Sequence, residues 1–106
     1  MLLHTVNKSA FDSSALADCL RVVATSDAVL LIENGVYAAL NSPQSGFEHS
    51  ESIAQLSADG TRFYVLQADC EARGLDDAKL AAPFEIIDDA GFVALAAAAS
   101  AIQSWY

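Results

Sequence analysis

Basic residues are scarce in this chain. Five Lys and Arg stand against 14 Asp and Glu, a formal charge of -9 over 106 residues. Nucleic-acid binding draws most of its affinity from Lys and Arg on phosphates, and no basic cluster is present to supply it. Direct contact with DNA or RNA is therefore excluded from the expectations. Glycine is sparse after the first apolar segment, where Asn7-Lys8-Ser9-Ala10-Phe11 follows. A dinucleotide site or a P-loop needs glycines there, so no nucleotide cofactor is expected. No basic n-region precedes an apolar core at Met1-Leu2-Leu3-His4-Thr5, and the longest uncharged run, 90–106, is short and mostly alanine. Neither a signal peptide nor a membrane span is expected, which makes a reducing cytoplasm the default. The two cysteines, Cys19 and Cys70, are then free thiols. His4, His49, Cys19 and Cys70 are scattered rather than paired at zinc-ligand spacing, so no metal site is expected.

Apolar residues make up 54% of the chain and charged ones only 18%. A single domain over residues 1–106 has room for one modest core, and the apolar excess points to a subunit interface, with partners or with another copy. Residues 2–6 read as a first strand. Asp12 or Ser13 caps a helix to about residue 24, with Phe11 and Leu16 as its hydrophobic staple and Leu16, Leu20 and Val23 as its buried stripe. Ala28-Val29-Leu30-Leu31-Ile32 is apolar without alternation, the mark of a strand covered on both faces. Glu33-Asn34-Gly35 turns the chain into a short helix at 36–40, followed by a polar loop at 41–46 and a helix at 48–58. A third strand at 61–66 precedes a short helix at 69–73 that Gly74 closes. A fourth strand at 84–87 leads to a helix capped by Asp88 or Asp89, and residues 102–106 form a tail. Strands alternating with helices imply a layered α/β domain: a mostly parallel sheet of four or five strands with helices on both faces.

Three sets of residues suggest chemistry. Asp27, Asp69 and Asp88-Asp89 raise a phospho-acceptor module, flavodoxin-like or receiver-like. The first and third strands, however, end in Thr5-Val6-Asn7 and Leu66-Gln67-Ala68 instead of acids, so these aspartates read better as helix caps. Cys19, beside the Leu16-Leu20-Val23 stripe, reads as a small buried hydrophobe. Cys70 near a helix start has a slightly better claim to reactivity, opposed by Asp69 and Glu71.

Four segments together resemble the TusB/DsrH family. They are Leu3-His4-Thr5 with Lys8-Ser9-Ala10-Phe11, the run from Asp27 through Glu33-Asn34-Gly35 to Ala39, Tyr64-Val65-Leu66 with Asp69 and Ala72-Arg73-Gly74-Leu75, and Asp88-Asp89-Ala90-Gly91-Phe92-Val93 with the Gln103-Ser104-Trp105 tail. The resemblance spans nearly the whole chain; the stretch 41–60 carries no family mark, and Ala10 stands where proline is common. It implies a DsrE/F-like fold and a subunit of a heterohexamer with TusC/DsrF-like and TusD/DsrE-like chains. Such complexes pass persulfide sulfur to a downstream acceptor protein, toward tRNA 2-thiouridine synthesis or dissimilatory sulfur oxidation. It further implies that the main sulfur-accepting cysteine lies on the TusD/DsrE-like partner, at a place matching Leu66-Gln67 here, one turn before Cys70. The resemblance matches Cys19 to a cysteine of DsrH-type members and so raises it over Cys70 as a persulfide carrier. The alternative is a non-catalytic assembly subunit whose cysteines are packing residues and whose Val36-Tyr37-Ala38 segment meets the partners.

Overall fold

The computed structural model describes residues 1–40 and 49–106. Strands β1 (Leu2–Val6), β2 (Ala28–Leu31), β3 (Arg62–Leu66), β4 (Glu85–Ile87) and β5 (Ala101–Trp105) form one sheet in the order β4-β3-β2-β1-β5. All four pairings are parallel. Helices α1 (Ala15–Val22), α2 (Ser50–Ala58), α3 (Gln67–Ala72) and α4 (Asp89–Ala98) connect them, with a 3-10 segment at Glu33–Ala39 after β2. The polar loop expected at 41–46 lies outside the described residues.

Right-handed crossovers dictate where the helices go. The chain steps β1, β2, β3, β4 in one direction, so α1, α2 and α3 fall on one face. It then returns across the sheet to β5, so α4 falls on the other. The packing agrees. Val6, Val29, Leu31, Phe63 and Val65 pack with Leu16 and Cys19 of α1, Ile53 of α2 and Cys70 of α3. Leu3, Ala28 and Leu30 pack with Phe92, Leu95, Ala96 and Ala99 on and just after α4. Strand β2 is central and all four of its residues are buried, as its unbroken apolar run requires.

Local chemistry explains most element ends. Gly74, at φ +69, takes the left-handed position after α3. Its N–H donates to Glu71 and that of Leu75 to Cys70, the two bonds of a Schellman close. Asp88 caps α4 by accepting from the Gly91 N–H at 2.8 Å. At α1 the expectation is corrected. The N-cap position is Ser14, without a side-chain cap bond; Ser13 Oγ accepts from the Ala15 N–H, as a cap would, while Asp12 is taken up in a turn in which the Ser9 carbonyl accepts from its N–H. Phe11 is consequently 57% exposed and does not staple the buried Leu16. Asp27 and Asp69 cap no helix either; both bridge between elements, as described below. The 3-10 segment presses its apolar residues inward: Val36 and Ala38 are buried, so of Val36-Tyr37-Ala38 only Tyr37 is partly exposed, while Glu33 and Asn34 at the start of the segment are the exposed residues. In place of the tail expected at 102–106, residues 101–105 are a strand paired with β1 along its whole length.

Candidate functional site

In an open α/β sheet the ligand crevice lies at the carboxyl ends of two adjacent strands whose following helices leave on opposite faces. Here those strands are β3, followed by α3, and β4, followed by α4. Two cavities open at that point. One of about 290 Å³ is lined by Gln67, Glu71, Asp88 and Asp89, and one of about 420 Å³ by Gln67, Cys70, Glu71, Leu75 and Ile86. A larger hollow of about 620 Å³ lies at the other end of the same strands, around Gly60, Arg62 and Pro83. It lies away from the switch point, and neither thiol lines it. The crevice therefore holds Gln67, and one wall of it is Cys70.

The Cys70 thiol is poorly ionised. Burial pushes its pKa up, and the charges of Asp69 and Glu71 add to that shift against the opposing guanidinium of Arg73. Its short helix begins directly from β3 and turns Cys70 toward the core, so the residue is buried although it borders a cavity. Cys19 is sealed further. It has no exposed surface, and burial, with the nearby Asp27 carboxylate, pushes its thiol to about 12. At that value roughly one thiol in 10⁵ is ionised at pH 7. The structure brings Cys19 and Cys70 into the same core cluster as packing residues, with no disulfide.

Beneath α1 lies a polar chain that local spacing does not reveal. His4 Nε2 is 3.0 Å from Asp27 Oδ2, and the Trp105 indole N–H donates to His4 Nδ1 at 3.1 Å. Indole nitrogen only donates, so Nδ1 is the acceptor and Nε2 carries the proton that Asp27 accepts. Asp27 also accepts from the N–H groups of Leu2 and Ala24. Burial alone would raise its pKa, but these backbone donors and His4 outweigh it and hold the carboxyl below its usual value. Both imidazole nitrogens are thus engaged, so His4 is not free to take a proton from Cys19. A Cys-His nucleophile pair is ruled out at this place.

A second junction joins two of the segments that carry the family resemblance. Glu33 sits at φ +50 with its N–H donating to Asp69 at 2.7 Å, and Arg73 clasps the Asn34 carboxamide oxygen through Nε and Nη2. Gly35 follows because a Cβ there would collide with the Val6 carbonyl oxygen. These contacts fix the loop after β2 against α3, the helix whose Gln67, Cys70 and Glu71 line the crevice. Sequence reasoning singled out Glu33-Asn34-Gly35 as a turn, but the clasp by Arg73 spans 39 residues and left no local signal. Among the described residues, no group of His, Cys, Asp and Glu converges as metal ligands would, and no helix is long and apolar enough to cross a membrane.

Comparison with known proteins agrees with the resemblance. A family model described as DsrH like protein matches residues 8–101. Protein TusB of Cronobacter sakazakii is 33% identical over 104 residues, covering 98% of this chain and 100% of that protein. Protein TusB of Erwinia tasmaniensis is 41% identical over 76 residues, 70% of each chain. Among solved structures, the ychN protein of E. coli superposes with a TM-score of 0.83 at 17% identity, covering 98% of this chain and 97% of its own. A protein of unknown function from Methanobacterium thermoautotrophicum gives 0.75 at 14% identity, covering 96% of each. At such identities the structural likeness shows the fold alone. The family model spans most of the sequence and TusB relatives align along its length, so the chain belongs to the TusB/DsrH family of sulfur-relay proteins.

Proposed function

We propose that this chain is the assembly subunit of a cytoplasmic sulfur-relay complex serving tRNA 2-thiouridine synthesis, with the travelling persulfide carried on a partner. The partners are TusC/DsrF-like and TusD/DsrE-like chains in a heterohexamer, and a downstream protein receives the sulfur. The curated relatives that carry the TusB name support the tRNA branch over sulfur oxidation. One observation carries the division of labour: both thiols are buried and their pKa values raised. Persulfide exchange needs a thiolate that attacks the outer sulfur of the donor persulfide. A new S–S bond forms as the donor's breaks, and the donor leaves as a thiolate. Neither thiol here meets both requirements, ionisation and access.

Carriage by Cys19, which the family resemblance favours, would require α1 to lift from the sheet. Carriage by Cys70 asks less, since that residue already borders the 420 Å³ cavity. The test is sulfur transfer through the reconstituted complex with Cys19→Ser, with Cys70→Ser and with both. Transfer should persist in all three, and mass spectrometry of the wild-type subunit should find neither cysteine one sulfur heavier after exposure to a persulfide donor. A persulfide on Cys19 within the assembled complex would reverse the assignment and make this chain a carrier.

A further inference from the structure

Residues 1–7 and 90–106 contain no Asp, Glu, Lys or Arg. The fold brings them together as β1, α4 and β5. Strand β5 is one edge of the sheet, five residues long, and it contains neither proline, nor lysine, nor glycine. Free edges are ordinarily blunted by such residues, because a row of unpaired N–H and C=O groups recruits another strand. Among the described residues none of these devices is present on β5, and of its carbonyls that of Ser104 accepts from the Gln103 carboxamide at 3.2 Å. Large apolar side chains are exposed nearby: Ile102 on β5, at 51%, and Val22 on α1, at 58%.

We infer that β5 is the contact through which two copies of this chain associate, edge against edge, joining two five-stranded sheets into one of ten. The charge distribution selects a second copy as the occupant. A two-fold contact sets the same patch against itself. On a chain of charge -9, a patch centred on Glu51 of α2 and the following Asp59, on Glu71 of α3, or on Asp88 and Asp89 at the start of α4 would face its own acids. The β5 edge escapes this, because its own side chains are uncharged and the two charged residues of the adjacent α1, Asp18 and Arg21, have opposite signs. The geometry is also consistent. A two-fold axis normal to the sheet runs the two β5 strands antiparallel and keeps α1 on the same side in both copies. Because α1 packs over β1 and β5, the two α1 helices would then lie side by side at about the 8–10 Å of packed helices.

Sedimentation of the isolated full-length chain across a concentration series tests this, with Ile102→Asp, Val22→Asp and, as an acid added elsewhere, Ser52→Asp on the exposed side of α2. All three positions are exposed, so folding should survive, and circular dichroism checks that it does. The wild type should dimerise. Ile102→Asp and Val22→Asp should each weaken the dimer by roughly a hundredfold or more, and Ser52→Asp should leave it within a few-fold. A wild-type chain that stays monomeric, because only a sister chain takes the edge, overturns the inference. So does a dimer indifferent to both edge variants. Neither result bears on where the relay's persulfide resides, which the cysteine variants measure separately.

Discussion

Among the described residues, three helices and a 3-10 segment cover one face of the sheet, whereas α4 alone covers the other. Five strands at their usual spacing make a sheet about 19 Å wide, and a single helix with its side chains covers about 10 Å of it. On the crowded face Leu16, Cys19, Val29, Leu31 and Val65 are all sealed. On the sparse face α4 contains no fully buried residue, and Ala90, Val93, Ala94, Ala97 and Ala98 look outward. A helix apolar on every side is normally surrounded by protein. The contrast shows how the chain divides its apolar residues: one face seals most of the monomer's core, and the other seals a smaller cluster and leaves the outer side of α4 in water.

Truncation in the two layers should separate them most sharply. Leu16→Ala, under α1, should cost about 3–4 kcal/mol of unfolding free energy, and Leu95→Ala, the nearest equivalent on α4, about 1–2. Urea titration of the isolated chain measures both, and equal losses would erase the distinction between the layers. Next comes the polar chain beneath α1. Asp27→Ala removes the acceptor of two backbone N–H groups and of His4, and should cost about 2–4 kcal/mol.

The same carboxylate should mark the acid limb of stability. Its folded pKa is depressed, so the unfolded chain takes up protons first as pH falls. The stability it contributes is complete above the unfolded value of about 3.9, and it is lost as pH falls from there through the folded value. Asp27→Asn should flatten that limb in acid-titrated unfolding curves, and an unchanged limb would show that Asp27 is not coupled to folding.

Trp105→Phe is a smaller perturbation of the same chain. It deletes one donor and leaves His4 Nδ1 unpaired, at about 1–2 kcal/mol. In the wild type, ¹⁵N spectra of the imidazole should show the proton on Nε2. A proton on Nδ1 would break the proposed direction of the chain. Smallest of all is Val93→Ser on the outer side of α4, which should change monomer stability by less than about 0.5 kcal/mol. A large loss there would mean that the outer side of α4 contributes to the monomer's own core.

Several features were readable along the chain because their causes are local. The unbroken apolar run of β2 announces a strand buried on both sides. Gly74 closes α3, and Asp88 opens α4, through bonds that span three to five residues. The burial of Cys19 follows from its place in the Leu16 stripe. Other features have no local signature. Strand β5 has weak strand character of its own and exists because β1, almost a hundred residues earlier, lies beside it. The N-cap position of α1 falls at Ser14, with Asp12 taken up in the Ser9 turn. At Cys70 the helix start suggested a reactive thiol, but the orientation of α3 on the sheet buries it.

From its residues alone, then, this protein is a parallel α/β domain without nucleotide loops or a basic surface, and its motifs point to the TusB/DsrH family. Hydrophobic periodicity and capping act over a few residues and are written in order. Tertiary packing alone decided that the Cys70 thiol lies out of water, that His4 joins Trp105 to Asp27, and that an uncharged strand ends up at the rim of the sheet. Each of these depends on partners distant in the chain, which meet only after the crossovers have placed every strand.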